Sequence, residues 1–296
     1  MAVQGLKLDR CSLNQATIKK ASLATAVSVT AASGIPAIGL WREPVAEVGL
    51  GRAAKIVRDS GLRVSSLCRG GYFTSPDGPL RRAEIDDNLR AVDEAAELGA
   101  PVLVIVAGGL PRGDRDLPAA RRRVSDALAE LAPYAWDAGV TLALEPLHPM
   151  YVADRAVVST LGQALDLATA HGSEEIGVAV DTFHLWWDPD LEGQLYRAGV
   201  EHRIAVYQVA DWITPIAADA LLARGIPGDG HIDVPRFTRM IRNSGYSGDV
   251  ECEVFRQDIW DADPAAVAMR VAAAHSSLVA PFLEPISGGR ADTWIN

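Results

Sequence analysis

The stretch LGAPVLVIV, residues 98–106, joins the end of a predicted helix to a predicted buried strand. Gly99 follows the helix-like segment RRAEIDDNLRAVDEAAEL, and glycine is the residue that most readily takes the left-handed conformation just past a helix end. The run PVLVIV is too short for a helix and is continuously apolar, which is typical of a strand covered on both faces. This stretch therefore predicts one helix–strand unit of a parallel sheet.

The same joint recurs along the chain, which predicts a repeated architecture. Further helix-like segments end at a glycine before a short apolar run at Ser33-Gly34 (PAIGL), Ser60-Gly61 (RVSSL), Ala138-Gly139 (TLAL), His171-Gly172 (IGVAV) and Ser244-Gly245 (DVECEVF). RIAVYQV, residues 203–209, and DRCSLNQ, residues 9–15, supply two more strands. The pattern thus predicts eight strands, each followed by a helix.

We interpret this pattern as one α/β domain over residues 1–296, a single (β/α)8 TIM barrel. The 296 residues give 37 for each of eight units, against about 31 in a barrel of ordinary size. A doubly wound open sheet is the alternative, but that fold does not need eight units. Residues 282–296 are interpreted as a C-terminal extension, and we expect Trp294 and Ile295 to dock it, on a partner subunit or elsewhere.

Composition and charge restrict the class of protein. The formal net charge of -10 argues against nucleic-acid binding, which needs clustered Lys and Arg. No apolar run approaches the roughly 18 residues of a membrane span, and the first residues lack the apolar region of a signal peptide. Cys11, Cys68 and Cys252 are odd in number and far apart, which favours reduced thiols. We therefore expect a cytoplasmic protein that binds neither nucleic acid nor a membrane.

Oxygen-bearing side chains end four consecutive predicted strands. In a (β/α)8 barrel the catalytic groups lie at the C-terminal ends of the strands, and those positions hold Glu145, Asp181, Gln208 and Glu253. Each bare carboxylate in an apolar site would be costly unless it were neutralised. One divalent cation bound by all four side chains would remove that cost, and an all-oxygen set favours Mn2+ or Mg2+ over Zn2+. The alternative is that some of these side chains are solvated or paired with arginine.

The segments around these residues resemble a known family. LALEPLHP, GVAVDTFHLWW, VYQVADW, RGIPGDGHIDVPRF and GYSGDVECEVF are together similar to the xylose isomerase-like superfamily of (β/α)8 barrels, in particular the sugar isomerase and epimerase group that includes tagatose 3-epimerase. The resemblance implies that Glu145, Asp181, the residue at 208 and Glu253 bind the metal. It also implies that His184 and Arg224 hold substrate oxygens.

Two positions depart from the pattern of the epimerases. The third ligand is usually His and is here Gln208, whose amide oxygen is also neutral but is a harder and weaker ligand. The residue three after the first ligand is commonly Asn and is here His148, which could titrate near neutral pH beside the metal. A satisfied loop histidine before Pro149 is an equal alternative. These departures leave the exact reaction open.

The resemblance implies a divalent-metal-dependent isomerase or epimerase that acts on a ketose or related sugar through an enediolate. Glu145 and Glu253 come from strands five and eight, so one can remove a proton and the other can return it from the opposite side. His148 is a further candidate acid or base. Tryptophans that follow the strands are expected to face the pocket and stack on a sugar: Trp41, Trp186, Trp187, Trp212 and Trp260.

Two other functions stay open at this point. The first is a C-glycoside deglycosidase-like catalytic subunit, a lyase that removes a proton from a 3-oxo-glycoside and expels the aglycone by β-elimination, with His148 as the added base or acid. The second is a non-catalytic sugar-binding or scaffold subunit, in which Gln208 marks a decayed site. Either a homo-oligomer or a hetero-oligomer with a second subunit is compatible with the sequence. The loop GIPGDGH could hold phosphate, but a plain turn is favoured because one Arg and no Lys lie nearby.

Overall fold

The computed structural model describes residues 5–170, 172 and 175–284. Eight parallel strands form a closed barrel in which each strand pairs with its neighbours in sequence and the last pairs with the first. They are β1 (Cys11–Asn14), β2 (Ala37–Trp41), β3 (Arg63–Gly71), β4 (Val102–Val106), β5 (Thr141–Glu145), β6 (Ile176–Asp181), β7 (Ile204–Val209) and β8 (Val250–Cys252). The predicted (β/α)8 barrel is confirmed, and the open-sheet alternative is wrong.

Helices alternate with the strands and cover the outside of the barrel. Their bounds are α1 (Leu23–Ala32), α2 (Arg42–Val48), α3 (Leu50–Ser60), α4 (Pro79–Leu98), α5 (Leu117–Ala138), α6 (Leu161–Thr169), α7 (Thr182–Leu185), α8 (Leu191–Val200), α9 (Val234–Asn243), α10 (Gln257–Asp261), α11 (Pro264–Leu278) and α12 (Ala280–Leu283). Short 3-10 turns also lie at Gln15–Ile18, Pro149–Tyr151 and Ala220–Ala223. Gly99 and Gly139 end α4 and α5 with φ angles of 71° and 68°, as the glycine joints predict.

Strand β4 shows why the predicted strands are apolar on both faces. Val102 and Val104 pack inside the barrel in a cluster with Ala143, Ala179 and Val206. The alternate residues of β4 belong to the larger core between barrel and helices. Both faces of the strand are therefore buried, which is the usual condition of a parallel barrel strand.

The strand register carries polar side chains to the same interior. Glu145, Asp181 and Gln208 each lie two residues beyond a member of the inner apolar cluster, so they face the inside of the barrel at its C-terminal end. Gln208 pairs with Asp181 on one side and with Glu251 on the other. The fold thus places acidic and amide side chains next to the inner apolar cluster, on its C-terminal side.

The last described helix lies outside the barrel, and the cysteines are buried. Helix α12 packs on the outside of the barrel, where the guanidinium of Arg239 lies 5.2 Å from the ring centre of Phe282. Residues 285–296, including Trp294 and Ile295, lie outside the described residues. All three cysteines are described, buried and unpaired, as predicted. None of the described helices has the length and apolarity that crossing a membrane would require.

Candidate active site

A cavity of about 580 Å³ opens at the C-terminal ends of the barrel strands. Glu145, His184, Arg224 and Glu253 contribute to its lining. A wall of aromatic rings stands beside them, in which the ring of Phe255 lies 5.6 Å from that of Trp41 and 6.2 Å from that of Trp260. The cavity thus combines a charged interior with an apolar face.

The turn from β6 into α7 brings His184 to the carboxylates. Asp181 ends the strand and caps the short helix, because its Oδ1 accepts a hydrogen bond of 2.8 Å from the N–H of Phe183. His184 lies in that one-turn helix, with Nε2 at 3.9 Å from Glu145 Oε1 and 4.0 Å from Asp181 Oδ2. Ligand atoms of these three buried residues all lie within 4.8 Å of one another, which is a spacing that could hold a metal ion.

Arg224 reaches the same cluster from a loop after β7. Two short strands, Asp211–Trp212 and Arg224–Gly225, pair in antiparallel fashion and hold the start of this loop. The buried carboxylate of Asp211 then accepts hydrogen bonds of 2.8 to 2.9 Å from the backbone N–H groups of Gly228, Gly230 and Ile232. Because these groups are bonded within the chain, the geometry favours a structural turn over a phosphate cradle.

The guanidinium of Arg224 is fully enclosed by the site. Its Nη1 donates to Asp181 Oδ2 at 2.7 Å and to Glu253 Oε2 at 3.2 Å, and its Nη2 lies 2.9 Å from Nε2 of His184. The plane also lies over the ring of Phe183, 4.7 Å from its centre. The alternative that arginine pairs with some of the strand-end carboxylates is therefore realised for Asp181 and Glu253.

Burial destabilises the charged forms of the carboxyl groups in the site, and Arg224 only partly offsets this effect. Burial, followed by the charge of Asp181, raises the pKa of Glu145 to about 8. Burial likewise raises the pKa of Asp181, and that of Glu253 well above its ordinary value, although Arg224 opposes both shifts. Within the described part of the chain, Glu145 Oε1 is buried and has no hydrogen-bond partner. An acidic cluster with an unused buried oxygen is suited to take up either a proton or a cation.

Comparisons with known proteins identify the family to which this barrel belongs. A family model described as a xylose isomerase-like TIM barrel matches residues 27–275. The chain belongs to this family. The predicted resemblance to xylose isomerase-like barrels is confirmed. A solved structure of a protein from Sinorhizobium meliloti 1021 is 47% identical to this xylose isomerase-like barrel, with a TM-score of 0.89 over 92% of this chain and 99% of that one.

More distant relatives of this xylose isomerase-like barrel include a named isomerase and a protein solved with a bound metal. A curated inosose isomerase of Halalkalibacterium halodurans is 28% identical over 141 residues, which are 47% of this chain and 48% of that protein. The chain spans about half the length of the curated relatives it matches. The IolI protein, solved with a bound zinc atom, is 20% identical and has a TM-score of 0.80 over 93% of this chain and 100% of that one. At that identity the likeness shows the fold alone.

Gln208, which the resemblance implies as the third ligand, is held by a carboxylate that was not recognised from the sequence, that of Glu251. Gln208 Nε2 donates to Glu251 Oε1 at 2.8 Å, which leaves Gln208 Oε1 buried and, among the described residues, without a hydrogen-bond partner. Asn14 Nδ2 donates to the same Glu251 oxygen at 2.7 Å. The signal was present in the sequence, because the alternation of VECEVF puts Glu251 and Glu253 on one face of the strand.

His184 also has a restricted protonation state. The N–H of His148 donates to its Nδ1 at 3.2 Å, while Arg224 presents N–H groups to its Nε2. A neutral imidazole has a single acceptor nitrogen, so only one of these contacts can be a hydrogen bond in either tautomer. Burial and the charge of Arg224 hold the pKa of His184 well below its usual value, so the ring is neutral.

The structure does not bring His148 to the cavity wall. Its ring lies between two indoles, 5.4 Å from the ring of Trp187 and 5.2 Å from that of Trp212. Its Nδ1 accepts the N–H of Met150 at 3.3 Å. This arrangement matches the satisfied loop histidine of the sequence analysis, and His148 contacts the site through its backbone.

The tryptophans divide into two groups. Trp41 and Trp260 line the cavity, as expected. Trp212 is instead buried behind it, stacked on Phe183 at 4.6 Å, and the ring of Trp186 lies 5.6 Å from that of Trp212. Side chains on loops after the strands can turn toward the pocket or away from it, and strand spacing does not distinguish the two directions.

Proposed function

We propose that this protein is a divalent-metal-dependent isomerase or epimerase that acts on a ketose or related sugar through an enediolate. The observation that carries the proposal is the buried cluster of Glu145, Asp181 and His184, with an unused oxygen of Glu145 among the described contacts. The curated relatives that are named inosose isomerase support isomerase chemistry. Family membership supports a site at this end of the barrel.

The donor atoms of the site fit a divalent ion. Glu145 and Asp181 belong both to the set predicted from the sequence and to the buried cluster. Gln208, with its free oxygen, and Glu253 complete the predicted set, whereas His184 is the alternative third ligand. Oxygen donors alone favour Mn2+ or Mg2+, and a histidine ligand would favour Zn2+. When bound, the ion polarises a carbonyl group and stabilises negative charge on oxygen.

The chain's own residues then handle protons and orient the substrate. Glu145 and Glu253 both line the cavity, where one is suited to remove a proton from the carbon next to the carbonyl and the other to return one. Arg224 and His184 line the cavity and bind substrate oxygens. Trp41 offers its indole to the apolar face of a sugar. His148 takes no acid–base part in this proposal, because its ring lies behind the site.

Hydrogen exchange tests the proposal without requiring that the product be known. The protein is loaded with Mn2+ in D2O, and free ketohexoses such as D-fructose and D-tagatose are followed by NMR. Deuterium is expected to enter at the carbon next to the carbonyl with Mn2+ and not with a chelator. A protein that takes up Mn2+, Mg2+ or Zn2+ and exchanges no ketose would contradict the proposal. A protein that binds none of these ions would support the non-catalytic alternative.

The volume of the cavity supports a second candidate function, that of a deglycosidase-like lyase. A space of about 580 Å³ is within the range that accommodates ligands larger than one monosaccharide. A deglycosidase-like lyase uses the same proton removal and then expels an aglycone. Incubation of the Mn2+-loaded protein with a 3-oxo-glycoside that carries an aromatic aglycone separates the two functions, because only the lyase releases the aglycone.

A further inference from the structure

Arg69 is a cation that lines the cavity, and none of the described acidic side chains forms an ion pair with it. It lies on β3, is partly buried and lines the cavity. Across the described part of the chain, no hydrogen bond or ion pair joins its guanidinium to another residue. Its contact is with the ring of Tyr72, whose centre lies 4.6 Å away. The stacking holds the guanidinium plane and leaves its N–H groups available.

The other cations of the cavity differ from Arg69. The charge of Arg224 is paired with the carboxylates of Asp181 and Glu253. Arg155 has a carboxylate oxygen of Asp154 at 3.8 Å. Lys19 is exposed, over the ring of Trp260 at 5.0 Å, where water solvates its ammonium group. Arg69 therefore combines partial burial with unused donors.

The position of Arg69 relates it to the reacting end of the site. Arg69 and Glu145 line the same cavity, so a ligand held at Arg69 lies in the space that also contains Glu145. A guanidinium binds carboxylate or phosphate through two parallel N–H groups. Exposed acidic groups also line the mouth, where water and salt screen them: Glu43, Glu47 and Asp219.

We propose that Arg69 binds an anionic group, a carboxylate or a phosphate, on the substrate, so that the preferred substrate is an acidic keto sugar. The inference rests on the proposed function for the reacting end of that substrate. The anion held at Arg69 would direct the other end of the molecule toward Glu145 and Glu253. Specificity for an acidic sugar thus comes from β3, away from the metal-binding strands.

Binding to three ligands with one carbon skeleton tests this site. Calorimetry on the full-length protein, with Mn2+ and with a chelator, compares D-fructose, D-fructuronate and D-fructose 6-phosphate. One or both of the anionic ligands is expected to bind at least about tenfold more tightly than D-fructose, and the comparison between them distinguishes carboxylate from phosphate. The variant Arg69→Gln is expected to remove that advantage and to leave the affinity for D-fructose within about twofold.

Lys19→Gln is the matched control, because it removes one positive charge from the same cavity at an exposed position. It is expected to weaken anion binding by less than about threefold. Arg69→Lys, a second variant, keeps the charge but loses the fork and is expected to bind the anion with intermediate affinity. The proposal is overturned if the anions bind no more tightly than D-fructose, if Arg69→Gln weakens all three ligands equally, or if Lys19→Gln has the same effect as Arg69→Gln.

The outcomes for Arg69 and for the proposed function can be told apart. Anion binding that depends on Arg69, without deuterium exchange on any ligand, would support the anion site and contradict the proposed function. Exchange on a neutral ketose that Arg69→Gln leaves unchanged, with no preference for anions, would support the function and contradict the anion site.

Discussion

Glu251 and Glu145 are both buried carboxylates inside the barrel, but their surroundings differ. Glu251 accepts hydrogen bonds from four neutral side chains, at 2.7 Å from Asn14, 2.8 Å from Gln208, 2.8 Å from Ser66, and from Ser65. Glu145 Oε1 has no such partner within the described residues, and the pKa of Glu145 is raised to about 8.

The difference separates a structural carboxylate from one that is available for chemistry. Hydrogen bonds from neutral donors replace the hydration that Glu251 loses on burial. The backbone of Gly39 also packs against this carboxylate so closely that a Cβ at residue 39 would lie 2.5 Å from it. Glu145 instead keeps an oxygen beside the cavity that no described residue hydrogen-bonds. We infer that Glu251 holds the barrel and Gln208 in place, while Glu145 exchanges protons or binds a cation.

The largest expected effect is on turnover. Glu145→Gln and Glu253→Gln should each lower kcat for the ketose found by deuterium exchange by about 10^2- to 10^4-fold, because each removes a group that transfers a proton. Thermal unfolding should change little, since an amide keeps the volume and removes a buried charge. Glu47→Gln, at an exposed position of the same cavity, is the control and should leave kcat nearly unchanged. Retained turnover in either site variant would remove that residue from the acid–base role.

The next effect is on stability. Glu251→Ala should lower the free energy of unfolding by about 3 kcal/mol or more, because it leaves the buried donors of Asn14 and Gln208 without an acceptor. Urea unfolding measures this change. Glu251→Gln, which retains one carbonyl oxygen, should cost less. If Glu251→Ala were as stable as the parent protein, the structural role assigned to Glu251 would be wrong.

His275 tests the effect of burial far from the site. It is buried on α11, and burial together with the charge of Arg10 lowers its pKa to about 4. Since the unfolded chain binds this proton near pH 6.5, stability should be full above that pH and fall by up to about 1.4 kcal/mol per pH unit down to about pH 4. Urea midpoints from pH 7 to pH 4 for the parent and for His275→Gln isolate the contribution. Parallel curves for the two proteins would show that His275 does not titrate in this range.

The smallest effect concerns metal preference. Gln208→His keeps a donor toward Glu251 and replaces the free amide oxygen by a ring nitrogen, so the site should still bind a divalent ion and shift toward Zn2+ by about tenfold. Competition between Mn2+ and Zn2+, followed by metal analysis of the dialysed protein, measures the shift. Loss of all metal binding, or no change in preference, would argue that residue 208 is not a ligand.

The sequence by itself determined the barrel fold and the end of the barrel at which the polar side chains lie. Glycine joints such as Leu98-Gly99 and short apolar runs such as PVLVIV specify helix ends and doubly buried strands, and strand ends in a parallel barrel share one rim. Strand alternation in VECEVF also contained Glu251, although it was not recognised there.

Only the tertiary structure decided which of these groups meet. It pairs Arg224 with Asp181 and Glu253. It turns the rings of His148 and Trp212 away from the cavity. It also stacks Arg69 on Tyr72, so that no described residue accepts a hydrogen bond from its guanidinium. Within a strand, the direction of each side chain follows from alternation and can be read from spacing. In the loops beyond the strands no such periodicity exists, so side-chain direction and partners depend on packing between segments that are distant in sequence.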